Sequence, residues 1–158
     1  MFRSALAIIA FIASSAHAQR SPDSLAVLSQ LVLVDFDRVH SVLVARCEQS
    51  PAARASELRA EISRWESSNL EAQLTVRQIQ KAQMAAQWRV TTEVADARLR
   101  QAAEMFTSGL VQQFNTIPDS QLLGACDGGY AATSLKDLDF QALLEHMRKS
   151  PGPGLASR

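Results

Sequence analysis

The sequence predicts an all-α protein: a small up-and-down helical bundle with a long central helical hairpin and one disulfide. Glycine and proline are almost missing from the middle of the chain, where Gly109 is the only one between Pro51 and Pro118. Apolar side chains recur there at steps of three and four, as they do in helices. Two cysteines, Cys47 and Cys126, lie at either end of this stretch and are candidates to tie its ends together.

The N-terminus has the three parts of a secretory signal peptide. Met1-Phe2-Arg3 is a cationic start, residues 5–13 (ALAIIAFIA) are an unbroken apolar run, and Ala16-His17-Ala18 is the small-x-small pattern of a cleavage site. We expect residues 1–18 to be removed and residues 19–149 to form a single helical domain. An uncleaved membrane anchor is the alternative, but a spanning helix needs roughly 20 apolar residues.

The first helix of the mature chain is predicted to run from Pro22 to near Glu48. Ser21 suits the capping position and Pro22 the first helical position, whereas Pro51 disfavours helix just before it. Residues 31–34 (LVLV) suggest a buried strand instead, but the length of the periodic pattern favours a helix. Its apolar face consists of Leu25, Leu28, Val32, Phe36, Val39, Leu43 and Cys47.

Two further apolar stripes predict the hairpin, with Pro51 opening its first arm. A straight helix over residues 52–117 would span about 100 Å, whereas disulfide-bonded Cα atoms lie within roughly 7 Å. If the two cysteines are bonded within one chain, the chain must turn, either at a capping box in residues 68–71 or at the β-branched residues 90–92. The second site gives arms of equal length, so we place the turn near residues 89–92. The first stripe, spaced as in a coiled coil, is Leu58, Ile62, Trp65, Asn69, Ala72, Val76 and Ile79, and the second is Leu99, Ala103, Phe106, Leu110, Phe114 and Ile117.

The C-terminal part is predicted to be a loop followed by a last helix. The glycines of residues 124–129 indicate the loop. Residues 134–137 (SLKD) have the pattern of a helix start, and Pro151 ends the helix. We expect residues 150–158 to be a disordered tail. The apolar face of the last helix consists of Leu135, Leu138, Leu143, Leu144 and Met147.

The charge balance excludes two classes of partner. The chain has 16 basic and 16 acidic residues, and loss of Arg3 with the signal peptide leaves 15 and 16, a net charge of −1. Such a balance provides no electrostatic footprint for nucleic acid or for an anionic lipid surface. No stretch after the cleavage site is long and apolar enough to span a membrane.

The two cysteines are interpreted first as a disulfide, because the compartments that exported proteins reach are oxidising and favour such bonds. Two free thiols, or one bond between two chains, are the alternatives. A redox-active pair would more typically be C-x-x-C, which is absent from the sequence.

No catalytic residues are assigned. The mature chain has two histidines, no G-x-S-x-G and no phosphate-binding loop. We therefore expect a protein that is not an enzyme and has no cofactor. The alternative is a small-ligand or metal-binding bundle using Asp37 and His40, three residues apart, together with His146. Such bundles usually take a carboxylate-x-x-His unit from each of two helices, and only one is present here.

Trp65, Met84 and Trp88 on the hairpin are the candidate partner-facing residues. Trp, Met and Arg are enriched at protein interfaces. Met84 lies four residues before Trp88, and Lys81 lies one turn further back, so the three share a face. The alternative is that both tryptophans pack in the core or the seam, as most aromatic side chains do.

One short motif resembles a known family. Leu74-Thr75-Val76-Arg77-Gln78 matches the L-T-x-x-Q pentad of the Spy/CpxP family of periplasmic helical chaperones. The chain is also similar to that family in the size of its exported form and in its all-helical structure. The match covers five residues, three of them fixed letters. It lies inside a predicted helix, whereas in that family the threonine tends to begin one. The resemblance implies a chaperone function.

Together these patterns predict a periplasmic or secreted protein that binds another envelope or secreted protein. An envelope chaperone, an inhibitor or immunity protein and an accessory subunit are the candidate roles. The sequence leaves the identity of the partner and the oligomeric state open.

Overall fold

A computed structural model describes residues 22–50 and 54–149, and within these ranges it contains helices and no strand. The all-α bundle, the long hairpin and the disulfide are confirmed. The predicted signal peptide, the Ser21 cap, the opening proline of the hairpin and the C-terminal tail lie outside the described residues. In chain order the helices are α1 (Pro22–Leu31), α2 (Phe36–Glu48), α3 (Ala55–Trp88), α4 (Thr92–Thr116), α5 (Asp119–Gly124) and α6 (Phe140–Lys149), with a widely wound helical segment, Ala125–Leu135, before α6.

The prediction of one continuous first helix is wrong, because the chain breaks between α1 and α2. Asp35 begins α2 as its N-cap, and its side chain accepts a hydrogen bond from the Arg38 amide at 3.3 Å. The break leaves the carbonyl oxygens of Val32 and Val34 without partners inside a helix, and they accept hydrogen bonds from the Gln73 side chain at 3.0 and 2.9 Å. The predicted boundaries at Pro22 and Glu48 are confirmed.

The turn of the hairpin lies between Trp88 and Thr92, where arms of equal length predict it. Arg89 follows α3 in the left-handed conformation, with φ 53°. The Thr91 side chain then caps α4 by accepting a hydrogen bond from the Val94 amide at 3.4 Å. The capping box at residues 68–71 is not used, since the Ser68 hydroxyl donates to the Arg64 carbonyl within α3.

The C-terminal predictions need two corrections. Residues 124–129 are not a plain loop: helical winding continues through them, and only Asp127 and Gly128 leave helical geometry, with Gly128 at φ 100°. The last helix does not start at residue 134. It starts at Phe140, where Asp139 accepts a hydrogen bond from the Ala142 amide at 3.0 Å, while residues 134–135 extend the preceding segment.

The core lies at the base of the hairpin and joins every helix to one hydrophobic cluster. Its centre is aromatic: Phe36 meets Trp65 edge-on at 5.1 Å between ring centroids, and Phe140 lies 5.8 Å from Phe36. The predicted seam of α3 is buried or half-buried along its whole length. In the stripe of α4, Phe114 is buried but Phe106 is 41% exposed.

The predicted disulfide joins the end of α2 to the segment after α5. Cys47 and Cys126 are bonded with their Cα atoms 5.5 Å apart and are both buried. They close a loop that contains the whole hairpin, which is the constraint that required the chain to turn. Among the described residues, no helix combines the length and the apolarity that crossing a membrane requires.

A candidate interaction surface on the helical hairpin

The three residues predicted to face a partner differ in their exposure. Trp65 is only 8% exposed, and its indole N–H donates to the Leu138 carbonyl at 2.8 Å, so its role is packing. Met84 is half-buried, and Trp88 at the end of α3 is 42% exposed. The structure therefore leaves Met84 and Trp88 as candidates and takes Trp65 into the core.

Exposed large apolar side chains are confined to the hairpin. Within the described ranges, each such side chain with an exposure of 41% to 66% lies on α3 or α4. On the remaining helices the large apolar side chains are buried or half-buried. We call the set the hairpin surface; its members are Leu70, Leu74, Trp88, Val94, Met105 and Phe106.

The α3 part of the hairpin surface follows one face of the helix. Leu70 and Leu74 are exposed four residues apart, and the same alternation of four and three residues continues to Trp88 through Arg77, Lys81 and Met84. Positions three and four apart stack on one side of a helix. The spacing that grouped Lys81, Met84 and Trp88 therefore extends back to Leu70 and Leu74, which were not among the predicted partner-facing residues.

The α4 part of the hairpin surface lies at levels similar to those of the α3 part, counted in residues from the turn. Ala85 and Ala95 lie five residues on either side of Val90 and are both buried, which sets the pairing of the two arms. Leu74 and Phe106 lie sixteen residues on either side of Val90, so they are equally far along the chain from the turn. Both of these side chains are nevertheless exposed. The arms therefore bury each other near the turn and leave apolar side chains uncovered further down.

The outer part of the hairpin lies beyond the main core. No described residue between Gln80 and Gly109 belongs to the main hydrophobic cluster or packs against its edge. This part depends on the small buried contacts of Ala85, Ala95 and Leu99. The start of α2 reaches this part at Glu104, which pairs with Arg38 at 2.9 Å, and at the buried Thr107, which accepts a hydrogen bond from the Asp35 amide at 2.9 Å.

Charge is unevenly distributed along the chain. Residues 77–100, which we call the hairpin tip, contain five basic and two acidic residues, a net charge of +3. The remainder of the chain has eleven basic and fourteen acidic residues, a net charge of −3. At the tip, the guanidinium of Arg98 lies 4.9 Å from the ring centroid of Trp88, within cation–π distance.

His40, a candidate ligand in the alternative hypothesis of a metal site, is part of a buried hydrogen-bond network. His40 is buried, with Nδ1 3.0 Å from the Glu66 carboxylate and Nε2 3.1 Å from the Tyr130 hydroxyl. Burial lowers the pKa of His40, against the opposing effect of Glu66. It raises the pKa of Tyr130, as does the charge of Glu66. A neutral imidazole that donates from Nδ1 and accepts from the tyrosine hydroxyl satisfies all three groups.

The other two candidate ligands of the metal-site hypothesis do not form a site with His40. Asp37 and His146 are both exposed, and the two ring nitrogens of His40 already have protein partners. Within the described ranges, no three His, Cys, Asp or Glu side chains are grouped so that they could hold a metal ion.

The surface cleft beside the disulfide is lined by paired charges. It has a volume of about 290 Å³ and is bordered by Arg54, Glu57 and Lys136. Arg54 pairs with Glu57 at 3.0 Å and donates to the Asp127 carbonyl at 2.9 Å. The contact between Arg54 and Asp127 connects the start of α3 to the segment after α5.

The hairpin surface is therefore the feature of the described chain that stands out from the ordinary packing of a helical bundle. Comparison of the chain with protein-family models, with curated proteins and with solved structures finds no match.

Proposed function

We propose that this is an exported protein that acts without catalysis, by binding another macromolecule through the hairpin surface. The observation that carries the proposal is the confinement of exposed large apolar side chains to α3 and α4 within the described residues. Clustered exposed apolar side chains on a soluble protein are typical of interaction sites. The signal-peptide pattern and the disulfide support export.

The mechanics of the fold support the same function. The base of the hairpin is held by the aromatic core and by the disulfide. The outer hairpin adds no described residue to the main core, and it meets α2 through polar contacts of Glu104 and Thr107. A partner can therefore cover the outer hairpin without disturbing the core, which limits the free energy spent on rearrangement during binding.

The proposed partner is an envelope or secreted protein. The role is that of an envelope chaperone, an inhibitor or immunity protein, or an accessory subunit. These roles differ in how they use the hairpin surface. A chaperone binds many unfolded chains weakly, whereas an inhibitor or a subunit binds one folded partner at a fixed site.

Site-specific photo-crosslinking tests the proposal. p-Benzoylphenylalanine is introduced at position 105, where Met105 is the most exposed apolar side chain of the hairpin surface. The matched control carries it at position 64, where Arg64 is exposed on the base of α3. We expect crosslinked products in envelope extracts from position 105 and not from position 64. A suppression assay with an aggregating client protein then separates a chaperone from a binder of one partner.

Equal crosslinking from the two positions would contradict the proposal, as would a complete lack of products together with no effect on client aggregation. The double substitution Leu74→Ser and Phe106→Ser should reduce both signals. Since both side chains are exposed, this variant is expected to keep the fold, which circular dichroism checks.

A further inference from the structure

We infer that the hairpin tip binds an acidic segment of a partner protein that also carries apolar side chains. This inference rests on the proposed function and names the chemistry of the partner. It starts from the charge separation, since the tip carries +3 while the remainder of the chain carries −3. Complementary charge at such a surface steers association and selects among partners.

Two of the five basic side chains of the tip, Arg89 and Arg98, have no carboxylate partner among the described residues. Asp96 pairs with Arg100 and lies 3.9 Å from Lys81. Arg77 donates to the Val32 and Val34 carbonyls of the α1–α2 break. Among the described residues, no carboxylate pairs with Arg89 or Arg98. These two arginines are therefore the ones that a carboxylate of a partner would meet.

Both arginines lie close in the chain to the exposed apolar side chains of Trp88 and Val94. The Arg98 guanidinium lies over the Trp88 ring, which holds the charge beside an exposed aromatic side chain. Arg89 follows Trp88 directly and is exposed at the turn. Val94 is exposed on the first turns of α4. A guanidinium stacked on an indole still presents its N–H groups to a carboxylate, while the indole edge and Val94 offer apolar contact.

The conformation of Arg89 is a second observation. Its φ of 53° lies in the left-handed region, which glycine adopts without strain and arginine does not. The turn is therefore closed by a charged residue where glycine would fit more easily.

A protein segment fits the tip better than a membrane or a nucleic acid does. Glu93 is exposed beside the turn and Asp96 lies half-buried behind it, so insertion into a bilayer would have to desolvate carboxylates. The same carboxylates would repel a phosphate backbone that approached the tip. An acidic peptide with apolar side chains can direct its carboxylates to Arg89 and Arg98 and its apolar groups to Trp88.

Fluorescence anisotropy with three designed peptides tests the inference. The probe is a short labelled peptide that alternates Glu with Leu and Phe. The matched peptides replace each Glu by Gln or by Lys. We expect the mature protein to bind the Glu peptide at least about tenfold more tightly than the Gln peptide, with the preference weakened by salt. The double variant Arg89→Glu and Arg98→Glu should lose the preference, while Arg148→Glu, at an exposed site on α6, should keep it.

Equal affinity for the Glu and Gln peptides overturns the inference, as does an equal loss in the Arg148→Glu variant. Tighter binding to phosphatidylglycerol vesicles or to single-stranded DNA than to the Glu peptide also overturns it. If the Gln peptide binds as well as the Glu peptide and Trp88→Ala abolishes both, the proposed function stands and only the charge preference is wrong. If no peptide binds, crosslinking at position 105 decides whether the proposed function fails as well.

Discussion

The side-chain oxygen of Asn69 lies 2.8 Å from the backbone nitrogen of Phe140 and accepts its hydrogen bond. Asn69 is the one polar position in the apolar seam of α3, and its amide donates in turn to the Trp65 carbonyl at 3.2 Å. The interruption in the seam is thus the point where α3 holds the first residue of α6. A polar residue in a seam costs stability unless it is paired, and here both ends of the amide are paired.

Replacing Asn69 by Leu should destabilise the fold although it makes the seam uniformly apolar. The buried Phe140 amide would lose its acceptor, which costs about 1–3 kcal/mol. Urea unfolding followed by circular dichroism measures the change. Gln78→Ala, at an exposed site on the same helix, is the control and should change the free energy of unfolding by less than about 0.5 kcal/mol. A stabilised Asn69→Leu variant would show that the contact is not needed.

The stability of the fold should decrease as the pH falls below about 6.5, the ordinary pKa of histidine. Burial lowers the pKa of His40 in the folded state, so the unfolded chain takes up a proton that the folded chain resists. Between the two pKa values the slope approaches about 1.4 kcal/mol per pH unit. His40→Gln should flatten this slope in denaturation curves measured over the range, and the exposed His146→Gln should not. The same slope in both variants would mean that other groups set the pH dependence.

Removal of the disulfide should destabilise the protein without changing its helical content at low temperature. The bond closes a loop with a sequence separation of 79 residues, worth about 4.5 kcal/mol in the chain-entropy model. The double variant Cys47→Ser and Cys126→Ser should show this loss in denaturant unfolding. Non-reducing mass spectrometry of the oxidised protein should show a bonded monomer, and a linked dimer would place the bond between chains.

The two tryptophans should respond in opposite ways to substitution. Trp65→Ala removes the centre of the aromatic core and should cost about 3–5 kcal/mol. Trp88→Ala should cost less than about 1 kcal/mol, because its ring is partly exposed outside the main core. Acrylamide should quench the fluorescence of a Trp65→Phe protein, which keeps only Trp88, more strongly than that of a Trp88→Phe protein. Equal quenching would place the two indoles in similar surroundings.

The sequence predicts the α3 seam and the turn of the hairpin because both follow from short-range rules and one covalent constraint. The periodic spacing from Leu58 to Val76 indicates the buried face. The disulfide places the turn near the midpoint, although Arg89 is not a typical turn residue. The break after α1 is different, because its stability depends on Gln73, which lies 41 residues from the Val32 carbonyl that it binds.

The hairpin surface could be predicted only in part. Periodicity places Phe106 in the apolar stripe of α4, but its burial depends on how closely α3 approaches at that level. Spacing along one helix carries no information about that distance. Trp88 could be named because tryptophan is enriched at protein interfaces and Met84 lies one turn before it on the same face. Leu70 and Leu74 have the same spacing as Trp88 and could have been found by extending it.

The position of the hairpin inside the disulfide loop affects what happens when the chain is cut. The turn at Arg89 lies near the middle of the segment between Cys47 and Cys126. Cleavage after Arg89 by trypsin would divide the polypeptide into two pieces of similar size that remain one covalent molecule. Both pieces keep their share of the core, so the nicked protein should retain its base, and its fragments should separate on a gel only after reduction.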